Sequence, residues 1–157
     1  MKYFITAIGT DSGKTIVAAI LAEFLNADYW KPIQAGEPAD TPRVRQLITN
    51  SASQFHSERH FLNTPASPHA AAKIDGVVIE MSDFSTPKTN RDLIIEGAGG
   101  LMVPINDTDC IIDLIPQVAD EVVIDVEEVH QGSVMEELGL RKAELTNMEP
   151  DGRGRVK

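Results

Sequence analysis

The stretch Thr6–Thr15, TAIGTDSGKT, is the most informative part of the sequence, because it joins an apolar run to a helix-forming segment through a glycine-bearing turn. The run Tyr3–Ile8 is rich in aromatic and β-branched residues and predicts a buried strand, while Lys14–Asn26 carries apolar residues at helical spacing. Glycines let backbone N–H groups turn toward phosphate oxygens, and a helix N-terminus attracts anions. Lys14 supplies a charge for the β- and γ-phosphates, and the hydroxyl of Thr15 is a ligand for Mg²⁺. The stretch therefore predicts a nucleotide phosphate loop.

The spacing of this loop departs from the usual G-x-x-x-x-G-K-[ST] pattern, which places its first glycine where this chain has Ile8. The nearest glycine is Gly9. A G-K-T triplet at a helix start also occurs by chance in proteins that bind no nucleotide. A preceding strand and a following helix are, however, the context that a nucleotide-binding loop requires. We therefore interpret the stretch as a phosphate loop of variant form.

Further strand and helix signals alternate along the chain. Asp92–Glu96 and Glu121–Val126 are near-continuous apolar runs that predict core strands, and the first ends in the glycine-rich turn Gly97–Gly100. The other predicted elements are a strand at 27–33 halted near Pro32, helices at 41–49, 110–118 and 136–145, and a frayed tail at 150–157. Pro116 is expected to break or end the second of these helices. The alternation predicts an α/β fold with a mainly parallel sheet and helices on both faces. Together with the phosphate loop, it indicates a three-layer P-loop NTPase-like domain.

Composition excludes several classes of function. The chain has 157 residues, a length that suits one domain, and its net charge of −10 repels a nucleic-acid backbone or an anionic membrane surface. Its single cysteine, Cys110, has no internal disulfide partner, which is typical of a reduced intracellular compartment. The N-terminal apolar run is too short for a signal peptide or a membrane span. We expect a cytoplasmic protein that binds neither nucleic acid nor membranes.

Three more motifs follow the phosphate loop in a defined order. They are Tyr29–Gly36 (YWKPIQAG), Ser67–His69 (SPH) and Glu96–Pro104 (EGAGGLMVP). Over roughly residues 3–125 the chain resembles dethiobiotin synthetase, an ATP- and Mg²⁺-dependent family of the P-loop NTPase superfamily. That family's loop carries one extra residue between its first glycine and G-K-T, so that Ala7 stands where the family has the glycine. The resemblance thus accounts for most of the unusual spacing.

The resemblance implies an activity and a set of site residues. The reaction is ring closure of 7,8-diaminopelargonate with CO₂ and ATP, and the family acts as a homodimer. Lys14 and Lys31 would be catalytic, because the carbamate and the γ-phosphate are both anionic. Lys31 and Ala35 would contact substrate, although the family has a serine in place of the alanine. The implied metal ligands are Thr15, Asp40 and Glu96. The implied ATP-binding residues are Thr10, Asp11, Ser12, Gly13, Lys14, Thr15, Ile16, Asp40, Glu96, Gly97, Ala98 and Gly99.

Simpler interpretations of two of these residues stay open. Lys31 is also compatible with a surface lysine at a strand end, and Asp40 with an N-cap before Thr41 and Pro42. We predict a P-loop ATP-binding synthetase domain at residues 1–126 and an altered or truncated, partly disordered segment at 127–157. Two other functions stay open as well. One is a partitioning-type ATPase, which would carry a second lysine early in the loop, whereas residues 7–13 contain none. The other is a non-catalytic, nucleotide-binding remnant.

Overall fold

Helices and strands alternate along the computed structural model, which describes residues 1–156. The strands are Lys2–Ala7 (β1), Asp28–Trp30 (β2), Ile33–Ala35 (β3), Phe55–His56 (β4), His60–Leu62 (β5), Leu93–Glu96 (β6), Glu121–Glu127 (β7) and Arg155–Val156 (β8). The helices are Lys14–Leu25 (α1), Asp40–Leu47 (α2), Pro68–Asp75 (α3), Ile111–Val118 (α4) and Gln131–Leu140 (α5). Short 3₁₀ turns lie at Met81–Asp83 and Glu128–His130.

The central sheet has the strand order β4-β2-β6-β1-β7-β8. All neighbouring pairs are parallel except β7 and β8, which are antiparallel. Phe4 at the middle of β1 lies opposite Ile95 on one side and Val122 on the other. The predicted α/β domain with a mainly parallel sheet is therefore confirmed.

Helices cover both faces of the sheet because successive residues of each buried strand point to opposite sides. Ile5, Tyr29 and Ile94 pack with buried residues of α1 and α2 on one face. On the other face, Phe4 and Ile95 pack with α3 and with the buried isoleucines and leucine of α4. The sheet and the helices on its two faces form three layers, with one apolar cluster between the sheet and the helices on each side.

The buried face of α1 differs from the one that its apolar spacing predicts. Ala18, Ala19 and Ala22 face the sheet, whereas Ile20 is 60% exposed and Phe24 is 80% exposed. Alanines let the helix approach the sheet closely, and the space that they leave is filled by large side chains of the strands. Ile20 and Phe24 therefore face outward, while Val17, Leu21 and Leu25 are partly buried at the sides of the alanine face.

The chain around Pro32 forms two strands instead of one. β2 ends at Trp30, before the proline, and β3 then pairs with β5 in a separate two-stranded sheet. The strands β4 and β5 are too short to show a period in the sequence. His56 and His60 lie on these two strands, where the first faces Asp28 and the second Asp83.

Pro116 does not break α4, which continues to Val118 and ends with a hydrogen bond from the Ala119 N–H to the Ile115 carbonyl. Proline removes a single donor, and near the end of a helix this loss is small compared with the burial of the apolar face. The expected break at Pro116 is therefore wrong. Residues 77–80 form neither a helix nor a strand.

The C-terminal part also differs from expectation. The helix expected at 136–145 lies at Gln131–Leu140, so it begins earlier. The tail predicted to fray contains β8, in which Arg155 and Val156 pair with Glu127 and Val126. The predicted domain boundary after Val126 stays a prediction. Within residues 1–156, no helix is long and apolar enough to cross a membrane.

Glu23 on α1 ties the helix to the segment that follows α2, and this contact predicts an acid-sensitive stability. Its carboxylate accepts hydrogen bonds from the Thr49 hydroxyl at 2.6 Å and from the Asn50 N–H at 3.0 Å. The Thr49 hydroxyl is the largest cause that lowers the pKa of Glu23 to about 2 from 4.5. A carboxylate whose pKa is lowered by folding stabilises the fold fully when the pH is above its pKa in the unfolded chain. That stabilisation is lost as the pH falls through its pKa in the folded chain.

We expect Glu23→Gln to lower the midpoint of urea unfolding at pH 7. The difference from the unmodified chain should shrink between about pH 4.5 and pH 2, as the carboxylate of the unmodified chain becomes protonated. Glu136→Gln, which removes the same charge from an exposed position on α5, is the control and should give no such pH dependence. A difference that stays constant from pH 7 to pH 2 would contradict the assignment.

Candidate nucleotide and metal site

A cleft of about 580 Å³ lies at the carboxyl ends of β1, β2 and β6, the edge where open α/β sheets bind ligands. All of the residues predicted for ATP, metal or substrate line this one cleft. They are Thr10, Asp11, Ser12, Gly13, Lys14, Thr15, Ile16, Lys31, Ala35, Asp40, Glu96, Gly97, Ala98 and Gly99.

The loop between β1 and α1 has the backbone that a phosphate loop needs. Gly13 precedes α1 with φ +87°, a left-handed conformation that favours glycine, and the N–H groups of Ile16 and Val17 bond to its carbonyl. Asp11 also has a positive φ of 54°. The hydroxyl of Ser12 donates to the Gly9 carbonyl at 3.1 Å and closes the turn. The loop therefore wraps over the N-terminus of α1, where an anion is favoured.

Lys14 is folded back onto this loop. Its Nζ donates to the Gly9 carbonyl at 2.6 Å and to the Ser12 hydroxyl at 3.3 Å, and the residue is only 9% exposed. Burial lowers the pKa of Lys14 below its ordinary value, and the nearby charge of Lys31 acts in the same direction. An ammonium in this position gains from an incoming anion, because a phosphate replaces neutral oxygens with a full negative charge.

Two carboxylates converge on the first turn of α1. The Thr15 hydroxyl donates to Glu96 Oε1 at 2.8 Å and lies 3.1 Å from Asp40 Oδ1. Lys31 Nζ lies 2.6 Å from Asp40 Oδ2 and 3.3 Å from Glu96 Oε1. Glu96 is 1% exposed and Lys31 is 4% exposed. The surface-lysine interpretation of Lys31 is therefore wrong.

The donor set fits Mg²⁺. Two carboxylates and a hydroxyl supply hard oxygen ligands, and the one positive charge of Lys31 does not neutralise Asp40 and Glu96 together. Among the side chains that the structure describes, no cluster of three or more His, Cys, Asp or Glu residues could enclose a metal ion. Mg²⁺ is usually bound by one or two carboxylates together with water and substrate phosphates, so this sparse set suits it.

Asp40 reaches the cleft because the segment before α2 is clamped by a buried glutamine. Gln34, 4% exposed, donates through Nε2 to the Gly36 carbonyl at 2.8 Å and accepts the Asp40 N–H at 3.1 Å. The N-cap of α2 is Ala39, and its helix has no side-chain cap. The interpretation of Asp40 as an N-cap is therefore wrong, because its carboxylate faces Thr15 and Lys31 instead.

Several cleft residues were missed by the sequence analysis. They are Gln34, Pro38, Arg43, Pro65, Ala66, Ser67, Pro68 and Val103. Four of these lie inside motifs that the sequence analysis singled out: Gln34 in YWKPIQAG, Ser67 and Pro68 in SPH, and Val103 in EGAGGLMVP. Arg43 follows Asp40 by about one helical turn. The others, Pro38 before α2 and Pro65 and Ala66 before α3, carried no such signal.

The glycine-rich turn after β6 packs directly on the phosphate loop. The Leu101 N–H donates to the Ala7 carbonyl at 2.7 Å. A Cβ on Gly100 would lie 2.4 Å from the Ile8 carbonyl oxygen and 2.9 Å from the Gly9 nitrogen. Because both are backbone atoms, a side chain at position 100 must displace the loop.

We expect Gly100→Ala to cost about 1–3 kcal/mol of unfolding free energy, the range for overpacking, and to weaken nucleotide binding as the loop shifts. Urea unfolding and calorimetric titration with ATP measure the two effects. Gly9→Ala is the stability control, since a Cβ there meets nothing within 4 Å. Equal free energies of unfolding for the two variants would contradict this prediction, because they would show that the glycine-rich turn accommodates a Cβ at position 100 without strain.

Comparison of the sequence with known proteins identifies one matching family and a set of similar curated proteins. The family described as AAA domain matches residues 1–141. The chain is 52% identical over 135 residues to the ATP-dependent dethiobiotin synthetase BioD of Christiangramia forsetii, covering 85% of this chain and 64% of that protein. It is 53% identical over 135 residues to the protein of the same name from Cytophaga hutchinsonii, covering 85% and 65%. The chain thus spans less than two thirds of the length of these curated relatives. Their shared name confirms the resemblance that the motifs predicted.

Proposed function

Because this chain belongs to the AAA domain family and its curated relatives are named dethiobiotin synthetases, we propose that it acts as an ATP- and Mg²⁺-dependent dethiobiotin synthetase. The observation that carries the proposal is the convergence of Lys14, Thr15, Lys31, Asp40 and Glu96 on one cleft. The residues that form it come from the phosphate loop, β6 and the segment between β2 and α2. The proposed catalytic domain is residues 1–126.

The proposed reaction has three steps. One amine of 7,8-diaminopelargonate adds to CO₂ and loses a proton, which gives a carbamate. A carbamate oxygen then attacks the γ-phosphorus of ATP, which releases ADP and gives a carbamic–phosphoric anhydride. The second amine attacks the carbonyl carbon, phosphate leaves, and the loss of a proton completes the ureido ring of dethiobiotin.

The residues of the cleft match the charges of these steps. Lys14 would bind the β- and γ-phosphates from the loop, together with the N–H groups between Thr10 and Thr15. Lys31 would face the carbamate and the transferred phosphoryl group, since it projects into the same cleft from the end of β2. Ala35 would border the substrate through its backbone. Mg²⁺ held by Thr15, Asp40 and Glu96 would neutralise phosphate charge and orient the phosphoryl group.

The test is incorporation of isotope-labelled CO₂ into dethiobiotin, with ADP and phosphate measured in the same reaction. We expect label in the product only when ATP, Mg²⁺ and 7,8-diaminopelargonate are all present. ATP hydrolysis that does not depend on the diamine would favour the partitioning-type ATPase. Thermal stabilisation by ATP with no labelled product would favour a nucleotide-binding remnant.

Assembly and location are further parts of the proposal. We propose a homodimer, as implied by the resemblance, that acts in the cytoplasm on small molecules and binds no nucleic acid or membrane. The net charge of −10 supports the last part, because it opposes binding to phosphate backbones and anionic lipids. Light scattering on the purified chain would measure its mass in solution, and a monomer would contradict the dimer.

A further inference from the structure

We infer that Tyr29 is a positioning residue that orients the Glu96 carboxylate toward the metal and nucleotide. The Tyr29 Oη donates to Glu96 Oε2 at 2.8 Å, and the tyrosine is completely buried. The other carboxylate oxygen, Oε1, faces Thr15 and Lys31. The two carboxylate oxygens of Glu96 therefore have different partners: Oε2 is fixed by Tyr29, and Oε1 faces the cleft. The inference rests on the proposed function, because it concerns the same metal site.

The sheet register brings these two side chains together. Tyr29 lies opposite Ile94 in the pairing of β2 with β6, so it shares a face of the sheet with Ile94 and with Glu96, two residues further along. A tyrosine is long enough to reach diagonally from one strand to the next position on that face. Ala18 and Ala22 of α1 belong to the same apolar cluster as the tyrosine, and their small size leaves room for its ring.

The Tyr29 hydroxyl acts toward Glu96 only as a donor. A phenol is protonated at neutral pH and an ionised carboxylate can only accept, so this hydrogen bond runs from Tyr29 to Glu96. The ring is also held laterally by Phe55, whose centroid lies 5.8 Å away. A fixed donor on Oε2 opposes rotation of the carboxylate. Outer partners of this kind typically change metal affinity by about 10- to 100-fold when they are removed.

The test is Tyr29→Phe, which removes the hydroxyl and keeps the ring. Calorimetric titration of Mg²⁺ into the chain with ADP needs no turnover, so it is independent of synthetase activity. We expect the Mg²⁺ concentration for half-saturation to rise about 10-fold. The affinity for ADP in EDTA should be unchanged, because Lys14 and the phosphate loop are untouched. Tyr3→Phe is the matched control: it removes the second of the two tyrosines, whose hydroxyl contacts Met1 Sδ at 3.4 Å.

A second measurement does not depend on how well the variant folds. With both tyrosines replaced by 3-fluorotyrosine, the ¹⁹F resonance of Tyr29 should shift on addition of Mg²⁺–ADP, while that of Tyr3 should not. Tyr3→Phe assigns the two resonances. Unchanged Mg²⁺ dependence in a folded Tyr29→Phe variant, or an unmoved Tyr29 resonance at saturating Mg²⁺–ADP, would overturn the inference alone. Binding of ADP by the unmodified chain with no Mg²⁺ dependence at all would overturn both the inference and the proposed metal site.

Discussion

Lys14→Ala is expected to lower the affinity for ATP at least about 100-fold, which corresponds to about 2.7 kcal/mol. The ammonium of Lys14 is nearly buried and bonds to the neutral Gly9 carbonyl and Ser12 hydroxyl within its own loop. An ammonium that has already lost most of its water gains strongly when a phosphate replaces those contacts. Calorimetric titration of ATP in the presence of Mg²⁺ measures the loss.

The same substitution should leave the fold intact. Burial lowers the pKa of Lys14, which means that the folded chain bears a cost for keeping this charge in place. Alanine removes that cost together with two loop contacts, so we expect the free energy of unfolding to change by no more than about 1 kcal/mol. Lys88→Ala, at an exposed lysine remote from the cleft, is the control and should bind ATP normally. An Lys14→Ala variant that binds ATP as well as this control would show that the loop does not hold phosphate.

The sequence allowed the phosphate loop and the parallel strands to be predicted because their signals are local. The run Tyr3–Ile8 and the turn after Glu96 each combine an apolar strand with glycines, and in a parallel sheet two such strand ends meet at one edge. The residues named from the motifs accordingly line one cleft. What each of them does for catalysis stays a proposal until the variants are measured.

Features that depend on how helices and strands pack against each other could not be predicted from local sequence patterns. The apolar spacing of α1 indicates a helix, but it does not reveal that the fully buried apolar positions facing the sheet are alanines such as Ala18. The bond between Tyr29 and Glu96 depends on the register of β2 with β6, which no local pattern encodes. β3 and β5, with three residues each, are too short to show a period.

Lys31→Ala is expected to separate binding from chemistry. ATP affinity should change by less than about 3-fold, because the phosphate loop supplies most of the contacts to the nucleotide. Ring closure should fall by at least about 100-fold, since removing one preorganised charge from a transition state typically costs this much. Calorimetry with ATP and the labelled-CO₂ assay measure the two quantities. If Lys31→Ala loses ATP affinity as severely as Lys14→Ala, the division of roles between the two lysines is wrong.

Stability distinguishes a catalytic loss in Lys31→Ala from a structural one. The ammonium bridges Asp40 and Glu96, and breaking a buried ion pair from one side typically costs about 3–5 kcal/mol. Because Mg²⁺ and ATP should bind the folded variant about as tightly as the unmodified chain, adding both should stabilise the two chains alike and raise the thermal midpoint of Lys31→Ala. Lys31→Met with Asp40→Asn removes one charge of each sign and is the matched control for stability. If Mg²⁺–ATP restores the thermal midpoint of Lys31→Ala while ring closure stays absent, Lys31 acts on the reacting groups. If activity returns together with stability, the role of Lys31 is to offset the repulsion between the two carboxylates and to position them.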